Sequence, residues 1–98
     1  MNLSTNQDLI SIFKSNKIKN AYLFGSLLSK PIEETRDVDI LFNYEDNIEP
    51  LERGEIWWNL YDKLRDFFNK EVDLVNELSI KNPFLKKEID RTKVLIYG

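Results

Sequence analysis

The chain has 98 residues, of which 42% are hydrophobic and 32% are charged, and its net charge is -3. These values are typical of one soluble globular domain, residues 1–98, and the acidic balance argues against direct binding of nucleic acid. The sequence contains no cysteine and no histidine, which excludes disulfides, thiol chemistry and histidine catalysis. Because no apolar run approaches the ~20 residues of a membrane span and no signal peptide is evident, we expect a cytoplasmic protein without a membrane partner.

The first half of the chain predicts one helix and two strands. Apolar side chains in residues 3–17 recur at helical spacing, and Ser4 or Thr5 is the expected cap of that helix. Apolar runs predict strands at residues 18–24 and 36–44, and the second is apolar on both faces, as expected of a central strand. Leu27-Leu28-Ser29 is expected to form a short helix between them. Because the two strands are joined by a short segment, we expect them to be antiparallel.

The second half predicts a long helix, a third strand, a short helix and an edge strand. Residues 51–69 carry a broad apolar stripe at helical spacing, which is typical of a core-facing helix. Strands are predicted at residues 71–76 and 94–97, with a helix at 83–90 between them. The helix that joins the second and third strands predicts a right-handed parallel crossover. The expected fold class is therefore α/β, with a mixed β-sheet of three to four strands packed by helices.

Two features of the second half have alternative interpretations. Trp58, Tyr61 and Arg65 lie off the centre of the apolar stripe, so they form either a surface for a protein partner or a partly buried flank. Asp73 lies inside the otherwise apolar third strand, where an acid lowers stability unless it is paired. Glu71 lies at the edge of the same strand, where a solvated position is natural.

Polar residues at the strand ends form the candidate site. Gly25-Ser26 closes the first strand, and ten residues later Asp37-Val38-Asp39 opens the second. Residues two apart on a strand share a face, so Asp37 and Asp39 present two carboxylates whose mutual repulsion a divalent cation relieves. Such carboxylates suit magnesium, which also binds substrate phosphates. Gly25 lets the backbone approach an anion, and the Ser26 hydroxyl and following amides can bind its oxygens. The pattern predicts a site for a nucleoside triphosphate.

This spacing resembles the signature of nucleotidyltransferases of the DNA polymerase beta superfamily, specifically the small stand-alone members called minimal nucleotidyltransferases. The resemblance spans nearly the whole chain and implies the nucleotidyltransferase fold. It also implies transfer of a nucleoside monophosphate, from ATP by analogy, to a hydroxyl. Residue by residue, it implies that Asp37 and Asp39 hold two magnesium ions and that Gly25 and Ser26 hold the β- and γ-phosphates.

The resemblance extends to a third acid and includes one departure. In the family the third acid comes from the strand after the long helix, which implies Asp73 as a metal ligand or proton acceptor, with Glu71 as the alternative. Family members often carry Arg-Gly a few residues after the Gly-Ser pair, whereas this chain has Ser29 and Lys30 there. Lys30 supplies a positive charge for the phosphates but lacks the planar fork of arginine.

Three functions are compatible with these residues. The resemblance implies an antitoxin that attaches AMP to a tyrosine of a HEPN ribonuclease toxin, with which the chain would form a hetero-oligomer. A second possibility is an antitoxin that acts by binding alone. The third is one subunit of a small-molecule nucleotidyltransferase of the aminoglycoside type, in which a partner supplies the substrate-binding domain. The complete set of acids favours catalysis, and the length of 98 residues leaves no room for a separate small-molecule domain.

Overall fold

A mixed sheet of four strands organises the protein, whose computed structural model describes residues 3–25 and 34–98. The strands are β1 (Ile18–Phe24), β2 (Asp37–Tyr44), β3 (Glu71–Asn76) and β4 (Val94–Tyr97). Their order is β3-β2-β1-β4; β1 is antiparallel to β2 and β4, and β2 is parallel to β3. The predicted class, the central position of the second strand and both predicted strand orientations are confirmed.

The described residues form three α-helices, α1 (Gln7–Ser15), α2 (Pro50–Phe68) and α3 (Pro83–Thr92), and short 3-10 helices at Leu3–Thr5 and Glu77–Ser79. No helix among residues 3–25 and 34–98 is both long and apolar enough to cross a membrane. The predicted helix 27–29 lies outside the described residues.

The predicted first helix, residues 3–17, is wrong at both ends. Its cap is Asn6, not Ser4 or Thr5, because the Asn6 side chain accepts a hydrogen bond from the Leu9 amide at 3.1 Å. At the other end Lys17 adopts a left-handed backbone conformation, with φ of 56°, which a helix cannot continue through. Helix α3 runs two residues past its predicted end, to Thr92, and is capped by Asn82.

The two faces of the sheet are covered differently. Alternate residues of β2 point to opposite faces. Val38, Ile40 and Phe42 belong to the core on the face covered by α1 and α2. The largest fully buried side chains of that core are Leu9, Phe13, Ile18, Ile40, Phe42, Leu60 and Leu64. On the other face Leu41 is also fully buried.

A polar network attaches α3 to this second face. Asn43 of β2 donates a hydrogen bond to Glu77 at 2.6 Å, and Lys93 and Lys86 lie 3.1 and 3.3 Å from the same carboxylate. The Lys93 ammonium also lies 4.3 Å from the centre of the Tyr22 ring. Because Asn43 lies near the C-terminal end of β2, the network holds α3 over that part of the face. At the N-terminal end of β2, Asp37 is exposed.

The network predicts a pH-dependent contribution to stability. Burial favours the neutral form of Glu77, but the hydrogen bonds from Asn43, Lys93 and Lys86 outweigh it and lower its pKa below the ordinary 4.5. The contribution is therefore present at neutral pH and lost as the pH falls through the lowered pKa. We expect Glu77→Gln to reduce the free energy of unfolding at pH 7 by about 1–2 kcal/mol, measured by urea denaturation.

The same variant should show a smaller loss of stability than the wild type when the pH is lowered from about 5 to about 3. Glu88→Gln is the matched control, because Glu88 pairs with Arg91 on the exposed side of α3 and its lowered pKa reports a solvent-screened pair. Identical pH dependence in Glu77→Gln and the wild type would contradict the role of the network.

Candidate active site

Four carboxylate residues lie in two rows at one end of the sheet, and we call them the acid rows: Asp37 and Asp39 on β2, and Glu71 and Asp73 on β3. The parallel register of β2 and β3 places Asp37 beside Glu71 and Asp39 beside Asp73. Strands paired in this way lie about 4.8 Å apart. The residues that alternate with the acids, Val38, Ile40, Val72 and Leu74, are buried on the opposite face. The prediction that Asp37 and Asp39 share a face is confirmed, and Asp73 lies on the same face.

Asp73 lies between apolar residues of β3, as the sequence shows, but the structure does not bury it, so the predicted loss of stability does not arise. β3 is an edge strand, and it buries only the face that carries Val72 and Leu74. Asp73 points away from that core and is exposed, as is Asp37, whereas Asp39 is partly buried. Because water surrounds the Asp73 carboxylate, no pairing partner is needed to offset burial. An exposed carboxylate is also accessible to a cation or a substrate.

Gly25 brings the two halves of the sequence motif together. Its neighbour Phe24 pairs with Asp39 across β1 and β2, and Gly25 itself has φ of +76°, a left-handed conformation that favours glycine. A Cβ atom at this position would lie 3.1 Å from Cγ of Asp39 and closer still to Oδ2 of its carboxylate. Only a residue without a side chain therefore fits here. The backbone that is expected to meet a phosphate thus lies directly against the carboxylate expected to meet a cation.

Ser26 and Lys30, together with Ser29, lie outside the described residues. Their predicted contacts with phosphate therefore stay predictions. The structure describes the residues on either side of them: Gly25, directly after β1, and residues 34–36, directly before β2.

The ligand chemistry of the acid rows fits magnesium. Within residues 3–25 and 34–98, no three acidic side chains gather closely enough to form a complete metal-binding group. Magnesium binds through one or two carboxylates, substrate phosphates and water, so a complete protein cage is not required. Asp37, Asp39 and Asp73 offer oxygen ligands from adjacent register positions on one face. The residues therefore fit a cation that arrives with its nucleotide.

Glu71 is directed away from the other acids. Its carboxylate accepts a hydrogen bond from the Tyr61 hydroxyl and lies 3.7 Å from Nε of Arg65, both on α2. The same hydrogen bond raises the pKa of Tyr61, because it favours the protonated phenol. Glu71 thus links β3 to α2, and its engagement favours Asp73 as the third acid of the site.

Three neighbouring aromatic residues of α2 differ in burial: Trp57 and Tyr61 are partly buried at the flank of the apolar stripe, and Trp58 is exposed. Tyr61 is partly buried and stacks on Trp57, with 5.3 Å between the ring centres, and the Trp57 indole donates to the Leu74 carbonyl at 3.3 Å. Trp58 is 64% exposed. Tyr61 therefore belongs to the flank, whereas Trp58 packs edge-on against Trp57 and Tyr61 and exposes the rest of its ring; its contact with a partner stays a prediction.

Sequence reasoning did not find Lys70. Its ammonium donates a hydrogen bond to the Thr35 carbonyl at 2.8 Å, next to the acid rows. A lysine in a turn between a helix and a strand is ordinarily solvated, so no sequence pattern marks it.

Comparison with known proteins agrees with this geometry. Residues 7–98 match the family described as "Polymerase beta, Nucleotidyltransferase". The chain therefore belongs to the polymerase beta family of nucleotidyltransferases. Two proteins of Methanocaldococcus jannaschii, named "Putative protein adenylyltransferase MJ1217" and "Putative protein adenylyltransferase MJ0126", are each 36% identical to it over 80 residues, 82% of this chain and 78% of theirs.

Solved structures of toxin–antitoxin complexes share the fold. One, a toxin–antitoxin with AMP-PNP, aligns with a TM-score of 0.65 and 26% identity over 93% of this chain and 71% of that chain. Another is a tri-AMPylated HEPN toxin of Shewanella oneidensis in complex with an MNT antitoxin. It aligns with a TM-score of 0.60 and 26% identity over 92% of this chain and 66% of that chain.

The contact between Gly25 and Asp39 yields a prediction with an internal control. Gly25→Ala should lower the free energy of unfolding by about 1–3 kcal/mol, because the new methyl group meets Asp39 in a strained backbone conformation. Gly54→Ala is the control, because Gly54 lies in α2 with nothing within 4 Å of a Cβ atom. That change should raise stability by about 0.5–1 kcal/mol. Urea denaturation measures both, and shifts of the same sign would contradict the argument.

Proposed function

We propose that this protein transfers AMP from ATP to a hydroxyl of a protein partner in the cytoplasm, in a magnesium-dependent reaction. The acceptor we propose is a tyrosine of a HEPN-type helical toxin, so that the protein acts as an antitoxin within a hetero-oligomer. The observation that carries the proposal is the placement of Asp37, Asp39 and Asp73 on one open face, with Gly25 against Asp39. The names of the relatives and the AMPylated toxin of the similar complex support the choice of AMP and of the partner.

In this proposal each residue has a defined role. Asp37 and Asp39 hold magnesium, which neutralises charge on the triphosphate when it is bound, and Asp73 completes the ligands or takes the proton. Gly25 lets the backbone come close to the phosphates, which Ser26 and Lys30 bind. The acceptor oxygen forms a bond to the α-phosphorus as the bond to pyrophosphate breaks. Because the sequence has no histidine, an exposed carboxylate such as Asp73 is the best-placed acceptor of the hydroxyl proton.

The proposed acceptor also has a physical rationale. AMP on a tyrosine near an RNA-cleaving site places a bulky anion where RNA phosphates must bind, which inhibits cleavage by repulsion. The net charge of -3 suits a basic, RNA-binding partner. The open end of the sheet, where Asp37 and Asp73 are exposed, gives a protein side chain access to the site.

A second candidate, neutralisation by binding alone, is favoured by the exposed side chains of α2. Trp58 is 64% exposed, and Leu51, seven residues earlier on the same side of the helix, is also exposed. Aromatic side chains of this kind are frequent anchors of protein interfaces. The two functions are compatible, because an enzyme that modifies a protein must also bind it.

Intact mass spectrometry of the partner distinguishes the two. After incubation with ATP and magnesium, the partner should gain the mass of one or more AMP units. The gain should vanish in Asp37→Asn and Asp39→Asn, fall by at least a hundredfold in rate in Asp73→Asn, and vanish for the wild type when the magnesium is chelated. Asp62→Asn, a change of an exposed aspartate of α2, is the matched control and should leave the gain intact.

The same samples test the alternative through the partner's ribonuclease activity. If the partner keeps its mass yet is inhibited equally by the wild type and by a variant with all three aspartates replaced, neutralisation occurs by binding and the enzymatic proposal is wrong.

Trp58 provides the test of the partner surface. Trp58→Ala should weaken the complex by about tenfold or more, because an exposed anchor is lost, and should hardly change the melting temperature. Phe84→Ala is the control, because Phe84 is also a largely exposed aromatic residue, 84% against 64% for Trp58, but lies on α3. Calorimetric titration of the partner measures both affinities. A large fall in melting temperature with unchanged affinity would identify Trp58 as a packing residue instead.

A further inference from the structure

The turn between α2 and β3 carries a lysine whose side chain reaches a distant part of the chain. Nζ of Lys70 donates a hydrogen bond to the backbone carbonyl of Thr35 at 2.8 Å, across 35 residues of sequence. Thr35 lies in the segment that leads into β2 and is only 6% exposed, although its neighbours Glu34 and Arg36 are exposed. The hydrogen bond thus attaches this segment to the end of the sheet that carries the acid rows.

The position of Lys70 follows from the way α2 ends. Asn69 adopts a left-handed conformation, with φ of 53°, and its amide donates to the Arg65 carbonyl at 2.8 Å. This residue ends the helix and turns the chain, so that β3 begins two residues later with Glu71, beside Asp37. Lys70 therefore stands one residue before the Asp37–Glu71 pair.

The kind of hydrogen bond matters for the site. An ammonium that donates to a carbonyl makes a charge-assisted bond, and the carbonyl itself carries no negative charge that would cancel that of the ammonium. Lys70 thus brings a positive charge to the end of the sheet where Asp37, Asp39 and Asp73 concentrate negative charge.

We propose that Lys70 is a positioning residue for the acid rows. Its hydrogen bond to Thr35 holds residues 34–36 in place and so determines where Asp37 meets the magnesium-bound nucleotide. Lys70 acts through Asp37 and does not itself contact the substrate. Its effect on AMP transfer rests on the proposed function, whereas its hold on residues 34–36 does not.

Three variants test this role. Lys70→Met keeps the length of the side chain and removes the donor, Lys70→Arg retains a donor, and Lys63→Met changes an exposed lysine of α2 as the matched control. Hydrogen exchange of residues 34–37, measured by mass spectrometry, should become about tenfold faster or more in Lys70→Met. Lys70→Arg and Lys63→Met should exchange like the wild type.

Activity and binding supply the second readout. In Lys70→Met, kcat for AMP transfer should fall about tenfold to a hundredfold while KM for the partner stays unchanged, because a displaced ligand affects the reacting phosphate and not the docking surface. Lys70→Arg should restore most of the rate. Affinity for magnesium-ATP, measured by calorimetry, should fall in Lys70→Met and not in Lys63→Met.

Several outcomes would overturn the inference. Unchanged exchange of residues 34–37 in Lys70→Met would do so, as would faster exchange spread evenly over the chain, which reports a general loss of stability. Local exchange that rises while kcat and the affinity for magnesium-ATP stay unchanged would remove the positioning role. If the wild type transfers no AMP, the proposed function fails. The role of Lys70 is then decided by two other measurements, the hydrogen exchange of residues 34–37 and the affinity for magnesium-ATP.

Discussion

The parallel register between β2 and β3 is the constraint on which the site depends. It sets Asp39 beside Asp73 and Asp37 beside Glu71, and it joins two segments that are separated in sequence by the whole of α2. Because side chains alternate along a strand, a shift of one residue would turn the acids of one strand into the core. Val38, Ile40, Val72 and Leu74 prevent this, since all four are buried on the opposite face. The hydrophobic core therefore determines the geometry of the polar site.

The polar side chains at the two ends of β2 have different surroundings. At the C-terminal end of β2, Asn43 and Glu77 form hydrogen bonds that hold α3 over the second face. At the N-terminal end, Asp37 and Asp73 are exposed, and the Gly25 backbone lies directly against the Asp39 carboxylate. Among the described residues, internal pairing thus dominates at the C-terminal end, whereas the N-terminal end carries two exposed carboxylates. In the proposed reaction this exposure would let the nucleotide and the acceptor reach the same carboxylates.

Helix α2 connects the site with the outer surface of the protein. Its core-facing residues Leu60 and Leu64 are fully buried, while Trp58 projects into solvent from the same helix. Tyr61 and Arg65 engage Glu71 at the first position of β3, and Lys70 follows the helix end directly. A partner bound along α2 would therefore lie on the element whose end borders the acid rows. In the proposed function, partner binding and AMP transfer would thus depend on the same helix.

The sequence by itself determined the alternation of strands and helices and the shared face of Asp37 and Asp39. It also determined the spacing that identifies the family, because apolar periodicity and motif spacing are local properties of the chain. Only the tertiary structure decided that Asp73 is exposed and that Glu71 turns towards Tyr61. It also decided that Asn6, not Ser4 or Thr5, caps α1 and that Lys70 reaches Thr35. These features depend on which strand lies at the edge of the sheet and on which groups of distant segments come into contact. A short stretch of sequence determines neither the edge position nor the long-range contacts.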